Sequence, residues 1–303
     1  MTSVHLGIDL GATNTKWVVA EQHDRDWTPI DRGQVATLAA EGADAVVARM
    51  IDLGRAARTT YPAIESIGVG VPGLYDPAAG STRWLTNMPG GWKGQPVAAP
   101  INAALGLPVA LINDARAFGL AELRAGAGRG ASTMIGFTLG TGVGGVVAID
   151  GRLHDGHYGT AGELGHQTIE PDGQWCTCGN RGCLESYARA DQVAAACGTD
   201  TAEAAVTAAR AGDARALAGL AQVGRYLGIG IGNMIVALTP DCVVLGGGVS
   251  AAGELLLEPI RAELRHRVHV TALDEIELVT AELGIWAGAI GAAIRGAEHA
   301  VQP

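Results

Sequence analysis

The sequence predicts a duplicated α/β fold with two domains, and three observations support that expectation. Short runs rich in Val and Ile alternate with longer stretches of helical spacing, which is the pattern of an α/β protein. The G-I-D-L-G segment at 7–11 reappears as G-F-T-L-G at 136–140, and V-V-A follows each copy, at 18–20 and 146–148. A chain of 303 residues also has room for about two domains. We therefore expect two halves, each headed by a strand, a glycine-containing turn and a second strand.

The composition is that of a globular protein with an acidic balance of charge. Hydrophobic residues make up 48% of the chain and charged residues 17%, which favours a packed core over disorder. The formal net charge is −10 and no basic run is present, which argues against nucleic acid or an anionic membrane as a partner. The 45 glycines follow no collagen-like period, so they indicate tight backbone approaches.

Residues 130–149 are the stretch to test as a membrane span, because they contain no charged residue. Glycine and Ser/Thr residues break them into two short β-like pieces, whereas a membrane helix needs more continuous apolarity. The N-terminal Met-Thr-Ser-Val-His shows neither the basic region nor the cleavage site of a signal peptide. We therefore expect a hairpin in this stretch and a soluble, cytoplasmic protein.

In the first half of the chain, apolar runs predict strands and helical periodicity predicts helices. We expect strands at 4–9, 17–20, 66–71 and 109–112, and helices at 43–61, 96–105 and 115–125. Residues 76–94 are rich in Gly, Pro and Asn, which predicts a loop region. Within it, Thr86, Asn87 and Trp92 either line a ligand cleft or belong to a solvated connector.

The turn between the first two strands, L-G-A-T-N-T-K at 10–16, offers backbone amides and Thr hydroxyls of the kind that bind phosphate. Lys16 either adds a cation to such a site or points into solvent. Small-residue hairpin turns are also common without any ligand. Taken alone, this turn leaves phosphate binding and a purely structural role both open.

Asn113 and Asp114 stand where the fourth predicted strand ends and a helix begins. In α/β proteins, ligands bind at the carboxyl ends of the strands, so both side chains are candidates for a binding site. Asp114 is equally well placed to be the N-cap of the helix, because Asp and Asn accept hydrogen bonds from the first free amides. Position alone leaves the two interpretations even.

The second half begins with strands at 133–139 and 146–149 around the turn G-T-G-V-G-G at 140–145. We expect helices at 202–210, 217–238, from about 254 and at 286–299, with strands at 242–245 and near 276. The G-G-G-V-S turn at 246–250 has the bare backbone that accepts a flat base or a ribose. Neither hairpin turn lies between a strand and a helix with an acidic ribose-binding residue after it, as a dinucleotide-binding fold requires. Cys197 and Cys242 lie in apolar surroundings and are expected to be inert core thiols.

Residues 163–185 concentrate metal-ligand residue types, with E-L-G-H at 163–166 and C-T-C-G-N-R-G-C-L-E at 176–185. Tetrahedral zinc sites use four soft or imidazole ligands at short spacings. The residues that supply this number are His166, Cys176, Cys178 and Cys183. The alternative is a disulfide or three free thiols, and the odd local count of cysteines in a cytoplasmic setting argues against the disulfide. We therefore expect a compact zinc site.

The order of these motifs resembles the ROK family of bacterial sugar kinases and sugar-responsive repressors. The motifs are D-L-G-A-T-N-T-K at 9–16, N-D at 113–114, L-G-T-G-V-G-G at 139–145, E-L-G-H at 163–166, the cysteine segment at 176–185 and G-G-G-V-S at 246–250. The match runs over nearly the whole chain and is most similar in pattern to glucokinases. It implies an actin-like ATPase (ribonuclease H-like) fold with a cleft between two α/β domains. One domain would comprise residues 1–115 and about 286–303, and the other residues 116–285 with the zinc motif and a dimer surface.

The same resemblance implies an ATP-dependent glucokinase in which Asp114 is the general base for the 6-hydroxyl of the sugar. Other sugar contacts would come from Asn87, Asn113, Glu163, His166 and Glu185. ATP and Mg²⁺ would be bound through Asp9, Gly11, Ala12, Thr13, Asn14, Lys16, Gly140, Thr141, Gly142, Gly144, Gly246, Gly247 and Gly248. The zinc ion would be structural, and the protein would be a homodimer or homotetramer.

Two features of the chain qualify the resemblance. Family members usually have a second glycine in the first turn, where this chain has Ala12, whose methyl group narrows the approach to phosphate. Repressor members carry a DNA-binding domain before that turn, and here the turn begins shortly after Met1. A kinase for fructose, mannose, allose or an N-acetylhexosamine stays open, as do a non-catalytic sugar sensor and polyphosphate as the phosphate donor. The choice of sugar would depend on the residues near Gly73, Thr86, Asn87 and His157.

Overall fold

The computed structural model of the chain describes residues 2–85, 88–89 and 91–301. Contacts divide the chain into two compact units. The first comprises Met1–Gly126, Gly156–Thr160 and Ile285–Pro303, and the second comprises Ala127–Asp155 and Ala161–Gly284.

Strands and helices alternate along the chain, as an α/β protein requires. The strands are β1 (Thr2–Leu10), β2 (Asn14–His23), β3 (Asp26–Ala36), β4 (Ile64–Val71), β5 (Gly73–Asp76), β6 (Ser81–Leu85), β7 (Val109–Asn113), β8 (Met134–Leu139), β9 (Val143–Ile149), β10 (Arg152–Leu153), β11 (Cys242–Gly246) and β12 (Glu277–Thr280). The helices are α1 (Ala43–Thr60), α2 (Ala98–Leu105), α3 (Asp114–Ala125), α4 (Glu185–Ala188), α5 (Ala190–Cys197), α6 (Ala202–Arg210), α7 (Ala214–Leu238), α8 (Glu254–Arg267) and α9 (Ala287–Val301). Short 3-10 helices include Leu164–His166 and Gly248–Ala252.

The first unit is built on a sheet in the order β3-β2-β1-β4-β7. The strands β1, β2 and β3 pair antiparallel, and β4 and β7 continue the sheet parallel to β1. On one face, Leu6, Ile8 and Ile67 form a core with Val46 and Met50 of α1. Because β1, β4 and β7 run in the same direction, their carboxyl ends lie at one edge of the sheet.

Helix α9 packs on the opposite face of this sheet through glycine positions on the strands. Gly7 in β1 and Gly68 in β4 alternate with the core residues, so they face away from α1. A Cβ atom on Gly7 would lie 1.8 Å from the Ala289 carbonyl oxygen, and one on Gly68 would lie 1.7 Å from that of Ala292. The backbone of α9 therefore reaches the sheet only because these two positions have no side chain.

Helix α3 belongs to the first unit because it packs on α9. A Cβ atom on Gly291 would lie 1.7 Å from the Ala117 carbonyl oxygen, and Arg124 pairs with Glu298 at 3.1 Å. The first unit therefore runs to Gly126, whereas the resemblance implies a boundary near residue 115.

The second unit repeats the sheet of the first, in the order β10-β9-β8-β11-β12. Its first three strands pair antiparallel, and β11 and β12 are parallel to β8, as in the first sheet. Its core joins Phe137 and Val243 of the sheet to Leu227 and Ile231 of α7 and to Ile260 of α8. The shared order and direction of the strands confirm the predicted duplicated α/β fold.

The main departures from the predicted elements are short or exposed. The sequence does not predict β3, because Pro29 and Gly33 interrupt its pattern and most of its side chains are exposed, as an edge strand allows. The loop prediction for residues 76–94 is wrong at Ser81–Leu85, which form β6 and pair antiparallel with β5. Residues 130–149 contribute β8 and β9, which confirms the predicted hairpin. In the described parts of the chain, no helix has the length and apolarity needed to cross a bilayer.

Candidate active site

The turn between β1 and β2 is held closed by Thr37, which follows β3. The Gly11 amide donates to the Asn14 carbonyl oxygen at 3.2 Å, and a Cβ atom on Gly11 would lie 2.6 Å from that oxygen. The Thr37 hydroxyl donates to the Gly11 carbonyl oxygen at 2.7 Å, and the Thr37 amide donates to that of Thr13 at 2.9 Å. Ala12, Thr13 and Asn14 are exposed, so the turn presents small side chains and backbone to solvent. No sequence signal marks Thr37 as a support of this turn.

Asp9, near the end of β1, is a partly buried carboxylate beside the same turn. Burial raises its pKa, and the positive charge of Lys16, its cross-strand neighbour on β2, lowers it. The first turn of α9 approaches closely, since a Cβ atom on Gly288 would lie 2.6 Å from Asp9 Oδ2. A helix N-terminus favours negative charge. Asp9 is therefore placed to hold a cation next to the glycine turn.

Asn113 and Asp114 lie at the carboxyl end of β7, on the sheet edge where β1 ends with Asp9. Asn113, and not Asp114, is the N-cap of α3, because its Oδ1 accepts from the Arg116 amide at 3.1 Å. Its Nδ2 donates to the Gly73 carbonyl oxygen at 3.2 Å and to Asp114 Oδ1 at 2.9 Å. The N-cap alternative for Asp114 is therefore wrong, and its carboxylate lies exposed at this edge.

The three other candidates from the loop region have different outcomes. Thr86 and Asn87 lie outside the described residues. Trp92 is buried to 4% exposure in the core of the first unit, and its Nε1 donates to the Pro89 carbonyl oxygen at 3.1 Å. It therefore belongs neither to a ligand surface nor to a solvated connector.

The second and third glycine turns lie side by side in the second unit. Gly140, Thr141 and Gly142 connect β8 to β9, and the Gly140 amide donates to the Gly142 carbonyl oxygen at 2.9 Å. Gly247, with φ +85°, follows β11, and a Cβ atom there would lie 2.3 Å from the Leu139 carbonyl oxygen. This contact needs a glycine, both for its φ and for the close approach. The predicted residues on or next to these two turns are Gly140, Thr141, Gly142, Gly144, Gly246, Gly247 and Gly248.

The predicted metal ligands converge on one point in the second unit. Ligand atoms of His166, Cys176, Cys178 and Cys183 all lie within 4.8 Å of one another. His166 Nδ1 is 3.6 Å from the Cys176 sulfur, and the Cys178 and Cys183 sulfurs are 3.6 Å apart. A tetrahedral zinc site with Zn–S of about 2.3 Å and Zn–N of about 2.0 Å separates its ligand atoms by about 3.5–3.8 Å. The cluster therefore fits a zinc ion, and it leaves His166 Nε2 to face another partner.

The thiols of this cluster differ in how readily they ionise. Burial raises the pKa of Cys183 to about 12, and its hydrogen bonds with Cys178 and Cys176 act in the same direction. Burial also opposes the thiolate of Cys176, but hydrogen bonds from Cys178 and His166 outweigh it and lower the pKa to about 7. Cysteine binds metals as the thiolate. The charge of a divalent cation would offset the cost of ionising the Cys183 thiol.

Glu163 and Glu185 flank this cluster. Glu163 precedes the 3-10 helix Leu164–His166, and its carbonyl oxygen accepts from the His166 amide at 3.0 Å. Glu185 Oε1 lies 3.9 Å from the Cys176 sulfur, and its Oε2 accepts from the Val143 amide at 2.9 Å. The Glu185 carboxylate thus lies beside the metal ligands, and Glu163 precedes the ligand His166 by three residues in the chain. The sequence pattern gives no sign of the Val143 contact, because Val143 contributes only its backbone amide.

A sequence profile of the ROK family matches residues 5–296. The chain belongs to the ROK family. Glucokinase from Halalkalibacterium halodurans is 33% identical to it over 311 residues, which cover 95% of this chain and 93% of the relative. The family also includes xylose repressors: that of Bacillus subtilis is 31% identical over 229 residues, 74% of this chain and 59% of the repressor.

Two solved ROK structures resemble the chain along its length. The ROK hexokinase from Thermus thermophilus has a TM-score of 0.83 and 33% identity, covering 98% of both chains. A ROK family glucokinase from Streptomyces griseus in complex with glucose and AMPPNP has a TM-score of 0.79 and 30% identity, covering 98% of this chain and 100% of that one. Together with the duplicated sheets, these matches confirm the actin-like ATPase fold.

Proposed function

We propose that this ROK protein is a hexose kinase that transfers the γ-phosphate of ATP to the 6-hydroxyl of glucose, with Asp114 as the general base. The observation that carries the proposal is the exposed carboxylate of Asp114 at the carboxyl end of β7, on the edge that also holds Asp9 and the first glycine turn. The glucokinase relatives, and the neighbour solved with glucose and AMPPNP, support the choice of sugar and nucleotide.

Asp114 would accept the proton of the attacking hydroxyl as that oxygen bonds to phosphorus. Phosphoryl transfer asks the protein mainly to position the reactants and to balance charge, with a carboxylate orienting the nucleophile. Asn113 supports this role, because its Nδ2 donates to Asp114 Oδ1 and fixes the side chain. The Ala115 amide donates to the same oxygen at 2.8 Å. Both contacts hold this oxygen in a fixed position.

The remaining hydroxyls of the sugar would be bound by hydrogen bonds from the second set of candidates. These residues are Asn87, Asn113, Glu163, His166 and Glu185. Carboxylates accept hydrogen bonds and His166 Nε2 can donate, so the set matches a ring of hydroxyl groups that both donate and accept.

The phosphates would lie against the glycine turns. Backbone amides in such turns bind phosphate oxygens without a side chain in the way. Asp9, whose pKa is raised by partial burial, would hold Mg²⁺, which prefers oxygen ligands and would offset the cost of keeping the carboxylate ionised. A cation held by Asp9 would supply positive charge against the phosphates. Lys16 and the third turn, at Gly246, Gly247 and Gly248, complete the proposed nucleotide contacts.

Zinc would be structural in this scheme. The four protein ligands fill a tetrahedral coordination sphere, which leaves no open position for water or substrate. His166 would bind the ion through Nδ1 and present Nε2 to the sugar, so the ion would orient a sugar contact.

The test is a coupled assay of ADP release over a panel of hexoses, run on the wild type and on Asp114→Asn. The variant keeps the oxygen that accepts from Ala115 but cannot take a proton, so kcat should fall by about 10²- to 10⁴-fold. Asp52→Asn, an exposed carboxylate on α1, is the matched control and should keep wild-type turnover. Equal kcat in Asp114→Asn and Asp52→Asn would refute the role of Asp114.

A second candidate function is a sugar sensor without turnover, which the similarity to xylose repressors favours. Calorimetry distinguishes the two functions. Tight binding of one hexose by wild-type protein that releases no ADP with any hexose would overturn the kinase proposal and support the sensor.

The zinc proposal has its own measurement. Elemental analysis should find one zinc ion per wild-type chain and a loss of that ion in Cys178→Ser, because the hydroxyl replaces one of the four ligands. Cys197→Ser, a buried thiol elsewhere in the same unit, is the control and should retain the metal. A fully stable wild-type protein without bound metal would contradict the proposal.

A further inference from the structure

The turn between β8 and β9 is held at both ends by one short segment, residues 185–190. At one end, the Gly140 carbonyl oxygen accepts from the Ala190 amide at 2.8 Å. At the other end, the Val143 amide donates to Glu185 Oε2 at 2.9 Å. A hydrogen bond to a carboxylate is shorter and stronger than one between neutral groups. The turn is therefore clamped between the starts of α4 and α5.

The Val143 end of the clamp is closely packed, so this end of the turn cannot shift without breaking the contact with Glu185. A Cβ atom on Gly142 would lie 2.6 Å from Glu185 Oε2, which shows how closely the carboxylate lies over the turn. On the opposite side of Val143, a Cβ atom on Gly165 would lie 1.9 Å from the Val143 carbonyl oxygen. Val143 is itself buried between these contacts.

Every element of the clamp is continuous with a metal ligand. Gly165 directly precedes His166 in the 3-10 helix, and Glu185 follows Cys183 by two residues. Glu185 Oε1 also lies 3.9 Å from the sulfur of Cys176. The segment that holds the turn and the segment that gathers the metal ligands are therefore the same piece of chain.

We propose that Glu185 is a positioning residue for the 140–142 turn, and that the metal-binding segment sets the position of this turn through Glu185 and Ala190. Ordering the metal ligands orders the turn, and loosening them releases it. Its consequence for nucleotide affinity rests on the proposed function, in which this turn faces the phosphates of ATP. The structural part of the proposal stands apart from any turnover.

If Glu185 acts only in sugar binding, a different experimental result is expected. In that case, loss of the side chain affects sugar affinity and leaves the 140–142 turn and its nucleotide affinity unchanged. The two roles separate in Glu185→Gln and Glu185→Ala. Glutamine keeps an oxygen that can accept from the Val143 amide but loses the negative charge, whereas alanine loses the acceptor.

The experiment is hydrogen–deuterium exchange of the peptide that covers residues 140–145, on zinc-loaded protein. Glu185→Ala should speed exchange of the Val143 amide by about ten- to hundredfold, the worth of a hydrogen bond to a charged group. Glu185→Gln should stay within a few fold of the wild type. Removal of the metal from the wild type with a chelator should raise exchange in the same peptide. Unchanged exchange after both Glu185→Ala and chelation would overturn the proposal.

The second contact of the clamp is tested by Ala190→Pro. Arg189 has φ −72° and ψ 159°, which suits a residue before proline, and Ala190 is the first residue of α5, where proline is tolerated. The change removes the amide that donates to Gly140, and exchange at 140–145 should again rise. Ala214→Pro, at the first position of α7, is the matched control and should leave that peptide unchanged. An equal response in the two variants would contradict the clamp.

Calorimetry with MgADP and with glucose links the clamp to the proposed function. Glu185→Ala should weaken MgADP at least about tenfold, and Glu185→Gln should retain it. A rise in exchange without a change in MgADP affinity would leave the clamp in place and refute the assignment of this turn to the nucleotide. If Glu185→Ala shows both wild-type exchange at residues 140–145 and wild-type MgADP affinity, the clamp is refuted. The proposed function is not affected by that result.

Discussion

The closest approach of helix α9 to the first sheet makes a sharp prediction at Gly68. A Cβ atom on Gly68 would lie 1.7 Å from the Ala292 carbonyl oxygen, 2.4 Å from its carbonyl carbon and 3.1 Å from the Gly296 amide nitrogen. These are backbone atoms, which no rotamer change can move. Gly68→Ala must therefore push the helix away from the strand.

The size of the effect follows from the distances. Ordinary contact of a Cβ atom begins at 3.4 Å, so relief of the clash at 1.7 Å needs a further separation of about 1.7 Å. A gap of half that size already loses a quarter to a half of the dispersion energy of the atoms that face it. Overpacking typically costs about 1–3 kcal/mol. Since backbone meets backbone here, we expect the upper end, about 3 kcal/mol or more of unfolding free energy.

Gly70→Ala is the matched control, because it makes the same change two residues along the same strand. A Cβ atom on Gly70 would meet nothing closer than 3.5 Å, at Asp9 Oδ1. With no clash, the lower entropy of the unfolded chain leaves stability unchanged or raises it by up to about 1 kcal/mol. The two variants should therefore differ by about 3 kcal/mol or more.

Urea unfolding followed by tryptophan fluorescence is the assay. Of the six tryptophans, all except Trp175 belong to the first unit, so the signal reports on the unit that contains Gly68. Gly68→Ala should unfold at a clearly lower urea concentration than Gly70→Ala, with a similar slope. Equal midpoints for the two variants would refute the close packing of α9 on β4.

Two further predictions concern stability. His5 is buried between Ser3 and Ser66, with both ring nitrogens 2.8 Å from a hydroxyl, and burial lowers its pKa from 6.5 to about 4. The unfolded chain therefore binds the proton first as the pH falls, and about 3 kcal/mol of stability present above pH 6.5 should be lost between pH 6.5 and about 4. Urea titrations of His5→Gln should lack this loss, and parallel pH profiles for the two proteins would contradict it. Thr239, a β-branched residue at φ 45° after α7, is strained, so Thr239→Gly should raise the unfolding free energy by about 1 kcal/mol; a lower urea midpoint would count against that strain.

The fold was largely readable from the sequence because its signals are local. Each hairpin turn is a short run of Gly and Thr between apolar runs, and the second copy of the pattern reveals the duplication. β3 could not be predicted in this way, because an exposed edge strand lacks the apolar face that indicates a strand. The sequence also did not show that α3 belongs to the first unit, because this depends on its contact with α9, which lies far along the chain.

In the candidate site, too, the features with local sequence signals could be predicted and those that depend on distant contacts could not. The metal ligands were predictable because they lie within eighteen residues, from His166 to Cys183, and short spacing alone indicates a site. The placement of Asp114 could be predicted from the end of a strand, but the choice between cap and exposed carboxylate required the bond from Arg116 to Asn113. The residues that support the turns could not be predicted from the sequence. Thr37 and Glu185 act on backbone groups, which look the same in every residue.

The two copies of the fold support their turns by different means, and β10 shows why. β3 runs beside β2 for eleven residues and ends at the first turn, where Thr37 bonds the backbone. Its counterpart β10 has two residues, and with one further bond from the His154 amide to the Val147 carbonyl oxygen it pairs only with the last three residues of β9. Residues 162–166 cover the edge of β9 near Gly145 instead, since a Cβ atom on Gly145 would lie 2.3 Å from the Gly162 carbonyl oxygen.

The metal-binding segment thus stands where the first copy has a strand. A strand holds its neighbour through a regular ladder of hydrogen bonds and needs no ion. An irregular segment rich in glycine has no such ladder, and its ordering costs more conformational entropy. Four converging ligands supply the missing order at that position. Loss of the metal should therefore loosen the second turn and leave the first, which Thr37 holds, unchanged.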